Sequence, residues 1–198
     1  IIGITGSFGS GKTTVAKLLR RKGARILDAD RIAHRLLMPD GPCFKRVVDC
    51  FGRKILRQGR IDRRVLAKIV FDRPGDLKKL CGMIHPEVIK EMKGVSKECR
   101  SRKKRGFLVI GVPLLFEAGL HKICDCIIVV RSSVDTQVKR IQKKSHLTKS
   151  EILKRIKAQI SIQKKIARAD VVIDNQGNIN QTKKQVEALW QDLKKMGK

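Results

Sequence analysis

Tyrosine is absent from this chain, tryptophan occurs once and phenylalanine six times. Single-stranded nucleic acid is commonly held by stacking its bases on aromatic rings, so the composition argues against such a surface. No apolar run approaches the ~20 residues that a membrane-spanning helix needs. The six cysteines form no C-x-x-C pair, which argues against a zinc centre. They read as core or surface thiols of a reducing compartment. Residues 1–5 are apolar and β-branched and read as a core strand, so no leader is expected and the expected location is the cytoplasm. Acids are scarce too: 18 Asp and Glu stand against 46 Lys and Arg, a formal charge of +28.

A balance this basic raises a nucleic-acid hypothesis. The cations, however, spread over most of the predicted helices, with concentrations at 97–105 and 139–168. Solvated helix faces around an anionic site account for that distribution. Weak, non-specific polyanion binding is the expectation; neither a dedicated nucleic-acid partner nor a membrane partner is.

What the chain does contain is "ITGSFGSGKTT" at 4–14, in which Gly6, four residues, then Gly11-Lys12-Thr13 match G-x-x-x-x-G-K-[ST]. The match has the context it needs, a short buried strand before it and an amphipathic helix after it, with Val15, Leu18 and Leu19 on one face. Glycines let successive backbone N–H groups converge on phosphate oxygens, and the helix start adds its positive dipole end. The loop therefore predicts a bound nucleoside triphosphate, with Gly6, Gly9, Ser10, Gly11, Lys12, Thr13 and Thr14 around its phosphates. Lys12 neutralises charge on the transferring group, and the Thr13 hydroxyl is the candidate ligand for Mg²⁺.

Four further apolar runs, at 24–27, 107–111, 126–130 and 170–173, alternate with helical patterns. The fold class expected is α/β: a five-stranded parallel sheet of the P-loop kinase type, with helices on both faces. Residues 28–106 are too long for a simple crossover and read as several helices, one continuing across Pro86. The expected organisation is a nucleotide-binding core of residues 1–30 and 107–198 with a lid at about 134–155. A helical acceptor-binding insertion takes residues 31–106. In the lid region, Thr148 with Glu151 three residues on predicts a capping box. Arg140, Lys143, Lys144 and Arg155 make that region basic, as expected of an element that closes over phosphate before transfer.

Two carboxylates, Asp28 and Asp30, follow the second strand. An acceptor hydroxyl needs orientation and a proton acceptor, which a carboxylate supplies. Asp30 is the candidate base, and Asp28 the candidate helix cap or assistant to the metal. A motor or switch NTPase would end its third strand on an acid; here Gly111 stands there, which weakens that reading. Glu117 reads equally well as an acceptor-orienting group or a surface carboxylate, and His85 as a contact in the acceptor pocket.

The segments "GITGSFGSGKTTVA", "DADRIAHRLL", "IHPEVI", "VPLLFEAGL", "TQVKRIQKK", "RIKAQ" and "ARADVVIDNQG", in that order over residues 1 to about 190, resemble the dephospho-coenzyme A kinase family. The resemblance implies ATP-dependent phosphorylation of the ribose 3′-hydroxyl of dephospho-CoA, with ATP and Mg²⁺ as cofactors; the sequence does not give the oligomeric state. It also implies Asp30 as base, Arg140 as a lid residue in catalysis, Asn175 and Gly177 near the adenine, and His85 in the acceptor pocket. The competing readings are another P-loop kinase of a small molecule or nucleotide, and a nucleic-acid-binding NTPase.

Overall fold

The computed structural model describes residues 1–101 and 106–196. The basic run noted at 97–105 lies partly outside these, at 102–105. Within the described residues the chain divides into two compact units, one formed by residues 1–27 and 99–198, the other by residues 28–98.

The first unit is built on a parallel sheet. Its strands are β1 (Ile2–Thr5), β2 (Arg25–Asp28, whose last residue belongs to the other unit), β5 (Leu108–Gly111), β6 (Cys126–Arg131) and β7 (Val171–Asp174), in the order β2-β5-β1-β6-β7. The central β1 pairs Ile2 with Val109 on one side and with Cys126 on the other. Strands covered on both faces read as unbroken apolar runs, and β1 is buried at all four positions. Helices α1 (Lys12–Arg21) and α9 (Ile179–Met196) cover one face. There Ile2, Ile4, Val15, Leu19, Ile128, Val130, Val186 and Leu189 form a continuous core. Fully burying side chains of this size contributes about 1.5–3 kcal/mol each, and this layer fixes the end of β1 from which the phosphate loop emerges.

Helices α6 (Val134–Gln142), α7 (Lys149–Lys157) and α8 (Ile162–Ile166) connect β6 to β7. The capping box at Thr148 is present: Thr148 N donates to Glu151 Oε2 (2.7 Å), and Glu151 N donates to Thr148 Oγ1 (3.3 Å).

The second unit is mostly helical, with α2 (Ala29–Leu36), α3 (Phe44–Phe51), α4 (Arg63–Asp72) and α5 (Pro74–Ser101), which runs on past residue 98. Ile32, Leu36, Val47, Ile55, Leu66, Val88 and Met92 are among its buried apolar residues. Helix α5 runs for 28 residues through Pro86. A feature absent from the helical expectation is a two-stranded hairpin, β3 (Leu56–Arg57) with β4 (Arg60–Ile61). Its turn puts Gln58 and Gly59 both at positive φ, 49° and 72°, the twist that suits a two-residue hairpin loop.

Candidate active site

Residues 6–11 join β1 to α1 and curl into a loop that only glycine permits at two points. Gly6 has φ 149°, and a Cβ there would run into the Val130 carbonyl oxygen and lie 2.7 Å from Ser10 Oγ. Gly11, at φ 95°, caps α1 in the left-handed region, and the Asn175 side-chain amide fills the space a Cβ would take. Inside the curl, Lys12 Nζ donates to the carbonyls of Gly6 (3.0 Å) and Ser7 (2.9 Å). The lysine charge is therefore held within the loop, at the N-terminal end of α1. Thr13 is exposed in the first turn; Thr14 begins the helical ladder, its N–H donating to Gly11 O (2.9 Å).

Two buried polar atoms beside this loop have no hydrogen-bond partner: Ser10 Oγ and Arg140 Nη1. Arg140 Nη1 lies 3.6 Å from the point a Gly11 Cβ would occupy. The sequence reading has this arginine arriving only when a lid closes, yet it already stands at the loop, on the last turn of α6. A buried donor without a partner is costly. Here it belongs to a cation beside a helix N-terminus, an arrangement that suits an anion.

Asn175 is 4 % exposed and committed on both sides of its amide. Nδ2 donates to Ser10 O (2.9 Å), while Oδ1 accepts from Thr182 Oγ1 on α9 (2.8 Å). The side chain braces the second half of the phosphate loop. Gly177, two residues on, is exposed. Asp174, just before, accepts from Gln176 N (2.9 Å) and from Arg131 Nε (2.9 Å). The Gln176 N–H first, and then the Arg131 guanidinium, hold its carboxyl below the usual range.

Glu117 has well-defined partners as well. Its Oε1 accepts from Ile160 N (3.0 Å) and lies 3.3 Å from Lys165 Nζ. Lys165 is fully buried on α8, and its Nζ also donates to Pro113 O (2.8 Å). Burial pushes the lysine pKa down, and Glu117 works against that shift. Sequence reading missed Lys165, one cation in a run of them, and Gln159, whose Oε1 accepts from Phe8 N (3.1 Å).

In the second unit, Asp28 precedes α2 and its Oδ1 accepts from Asp30 N (2.9 Å), the geometry of a helix N-cap. Asp30 is exposed in the first turn of the same helix. His85 is exposed on α5, next to Pro86. Among the described residues no group of three or more His, Cys, Asp and Glu side chains could hold a metal ion.

A phosphate loop of this kind is common to many enzymes, and comparison with known proteins narrows the field. The model of the dephospho-CoA kinase family matches residues 1–181. The chain belongs to the dephospho-CoA kinase family. The dephospho-CoA kinase of Carboxydothermus hydrogenoformans is 42 % identical over 195 residues, covering 98 % of this chain and 94 % of that protein. That of Fusobacterium nucleatum is 41 % identical over 194 residues, with 98 % of each chain covered. Among solved structures, the dephospho-CoA kinase of Campylobacter jejuni superposes with a TM-score of 0.71 at 25 % identity, covering 100 % of this chain and 98 % of the other. A shikimate kinase from Acinetobacter baumannii reaches a TM-score of 0.53 at 15 % identity, covering 97 % of this chain and 91 % of the other, a likeness of fold.

Proposed function

We propose that this protein transfers the γ-phosphoryl group of ATP to the ribose 3′-hydroxyl of dephospho-CoA, yielding coenzyme A. Family membership over residues 1–181 supports the acceptor and the place in coenzyme A biosynthesis. The observation that carries the donor half is the phosphate loop, with Lys12 seated on two loop carbonyls and the unpartnered Arg140 Nη1 beside it.

Phosphoryl transfer asks a protein mainly for alignment and for positive charge where negative charge develops. In this reading the loop from Gly6 to Gly11 and the first N–H groups of α1 hold the phosphates. Lys12 and Arg140 stabilise the group in flight. Arg140 needs no large movement to take part, since its guanidinium already borders Gly11. Asn175 and Thr182 keep Ser10 and its neighbours in place and so act on the triphosphate rather than by reading the adenine. Gly177 belongs to the same turn at the adenine end.

The donor set fits Mg²⁺: Thr13, an exposed residue, offers one hydroxyl, and a small ion that keeps its waters needs few protein ligands. Held there by the Thr13 side chain, the ion would supply positive charge against the charge that develops on the transferring group. On the acceptor side, Asp30 takes the 3′-hydroxyl proton, Asp28 fixes the turn that presents it, and His85 lies along the acceptor. The unit of residues 28–98 is the acceptor-binding part, and residues 134–155 the lid. In this reading the reaction is cytoplasmic. The basic residues serve two anionic substrates, and no nucleic acid is part of this reading.

The test is to mix the protein with Mg-ATP and a panel of acceptors and weigh the products. ADP release should depend on dephospho-CoA and give one 3′-phosphorylated product. Equal release without acceptor, or release stimulated only by DNA or RNA, would overturn the assignment.

A further inference from the structure

Lys12 is seated on the carbonyls of Gly6 and Ser7, so whatever fixes those two residues fixes the lysine. Both ends of the segment are fastened. On one side Thr5 Oγ1 donates to Pro113 O (3.1 Å). On the other, Phe8 N donates to Gln159 Oε1 (3.1 Å). These two fasteners are joined to each other by an ion pair between the fully buried Lys165 and the partly exposed Glu117. Lys165 Nζ donates to the same Pro113 carbonyl (2.8 Å) and pairs with Glu117 (3.3 Å). Glu117 in turn accepts the N–H of Ile160 (3.0 Å), the residue after Gln159. The path closes on itself: Thr5, Pro113, Lys165, Glu117, Ile160 with Gln159, Phe8, and back through Ser7 and Gly6 to Thr5. All of it lies within the unit of residues 1–27 and 99–198. Arg155 adds a contact at the tip, its guanidinium carbon 5.6 Å from the centre of the Phe8 ring.

A fully buried lysine is expensive to keep, because desolvation of the ammonium must be offset by its partners. An ordinary apolar side chain would fill the volume without that cost. The charge has a purpose if the site needs a fixed bridge rather than bulk. We propose that Glu117 and Lys165 are positioning residues for phosphoryl transfer, closing a hydrogen-bonded ring that holds the Gly6–Ser7 carbonyl seat of Lys12. The acceptor-orienting role considered for Glu117 from sequence gives way to this one. Glu117 and Lys165 act through the loop and Lys12, and neither side chain is placed against a substrate. It rests on the proposed transfer only in its kinetic consequence.

Two measurements separate a ring that positions Lys12 from a pair that merely stabilises the fold. The first needs no turnover. Exchange of the Phe8 amide, followed by NMR, should speed up by roughly tenfold or more in Lys165→Met and in Gln159→Leu. Gln159→Glu, which keeps the acceptor oxygen, should restore protection. An unchanged Phe8 exchange rate in Lys165→Met overturns the proposal, whatever Gln159→Leu does, since the latter removes the acceptor itself. The second is a kinetic cycle. Lys165→Met should lower kcat roughly ten- to a hundredfold with a smaller change in the KM for ATP, because a misplaced charge is felt most in the transition state. In a Lys12→Ala background the same substitution should change kcat little, since residues acting as one unit are not additive. A second drop of equal size in that background overturns the ring. Should Lys165→Met fail to fold, Gln159→Leu, at the opposite point of the ring, carries the kinetic cycle. A parent protein that forms no 3′-phosphorylated product overturns the proposed function instead, and the Phe8 exchange still decides the ring.

Discussion

The two units hold their candidate residues in opposite ways. In the sheet unit several groups are fastened: Lys12 to two carbonyls, Asn175 to Ser10 and Thr182, Glu117 to Ile160 and Lys165. In the unit of residues 28–98, Asp30 and His85 are exposed on helix surfaces, and Asp28 caps α2. The difference follows from what each part must recognise. Triphosphate is met by rigid dipoles and charges whose arrangement is set before the ligand arrives, which is where electrostatic preorganisation gains most. An acceptor hydroxyl needs one carboxylate that can accept a proton, and such a group must stay exposed to be of use. Substitutions in the sheet unit should therefore disturb transfer and stability together, whereas those at the displayed residues should disturb transfer alone.

The largest effect is expected at Lys12. Lys12→Ala removes the charge that faces the transferring group and also the two hydrogen bonds that draw Gly6 and Ser7 together. Turnover should fall by roughly a hundredfold or more, and thermal unfolding should shift downward in the same variant. Loss of turnover with an unchanged melting temperature would show that the loop holds its shape without the lysine, and the contrast between the units would weaken.

Next comes the pair at the start of α2. Asp30→Asn keeps the shape and removes the proton acceptor, so turnover should drop by about a hundredfold. Melting temperature and ATP affinity, measured by calorimetry, should hold. Asp28→Ala should do the reverse, costing about 1 kcal/mol of stability through the lost cap and less in turnover. If Asp28→Asn abolishes transfer and Asp30→Asn is nearly silent, the base is the other carboxylate. If both are silent, neither activates the hydroxyl.

How much of this was legible in the sequence follows the range of the interactions. The sheet, its strand segments and the phosphate loop were readable because apolar runs and G-x-x-x-x-G-K-T are local patterns, as is the Thr148–Glu151 box. The Gln58–Gly59 hairpin went unread because two-residue strands carry almost no periodicity. The contacts that shape the site are long-range. Gln159 meets Phe8 from 151 positions away, Asn175 meets Ser10 from 165, and Lys165 reaches back 52 residues to Pro113. Nothing in a one-dimensional pattern distinguishes Lys165 from Lys164, although one is fully buried and the other is exposed. Glu117 was ambiguous for the same reason, since its partners come from the segment after α7.

The smallest effect concerns the surface clamp beside Asn175, and it tests whether fastening in the sheet unit extends to its rim. Asp174 accepts from Gln176 N and from the Arg131 guanidinium, and its side chain is 39 % exposed. The Gln176 N–H and the Arg131 guanidinium hold its carboxyl below the usual aspartate range. A carboxylate whose folded pKa is depressed stabilises the fold above its unfolded pKa and loses that contribution as pH falls through the folded value. Solvent screens a group this open, so the contribution is a few tenths to about 1 kcal/mol. Asp174→Asn retains an acceptor for the Gln176 N–H and removes the charge that faces Arg131. Urea unfolding at pH 7 should show the variant less stable by that small amount. As pH falls through that lowered folded pKa the parent carboxylate is itself protonated, and the two proteins should converge. A deficit that stays constant across the titration would mean that Asp174 works by hydrogen bonding and shape, with the Arg131 charge contributing nothing. The rim would then resemble the exposed acids of the 28–98 unit more than the braced loop that it borders.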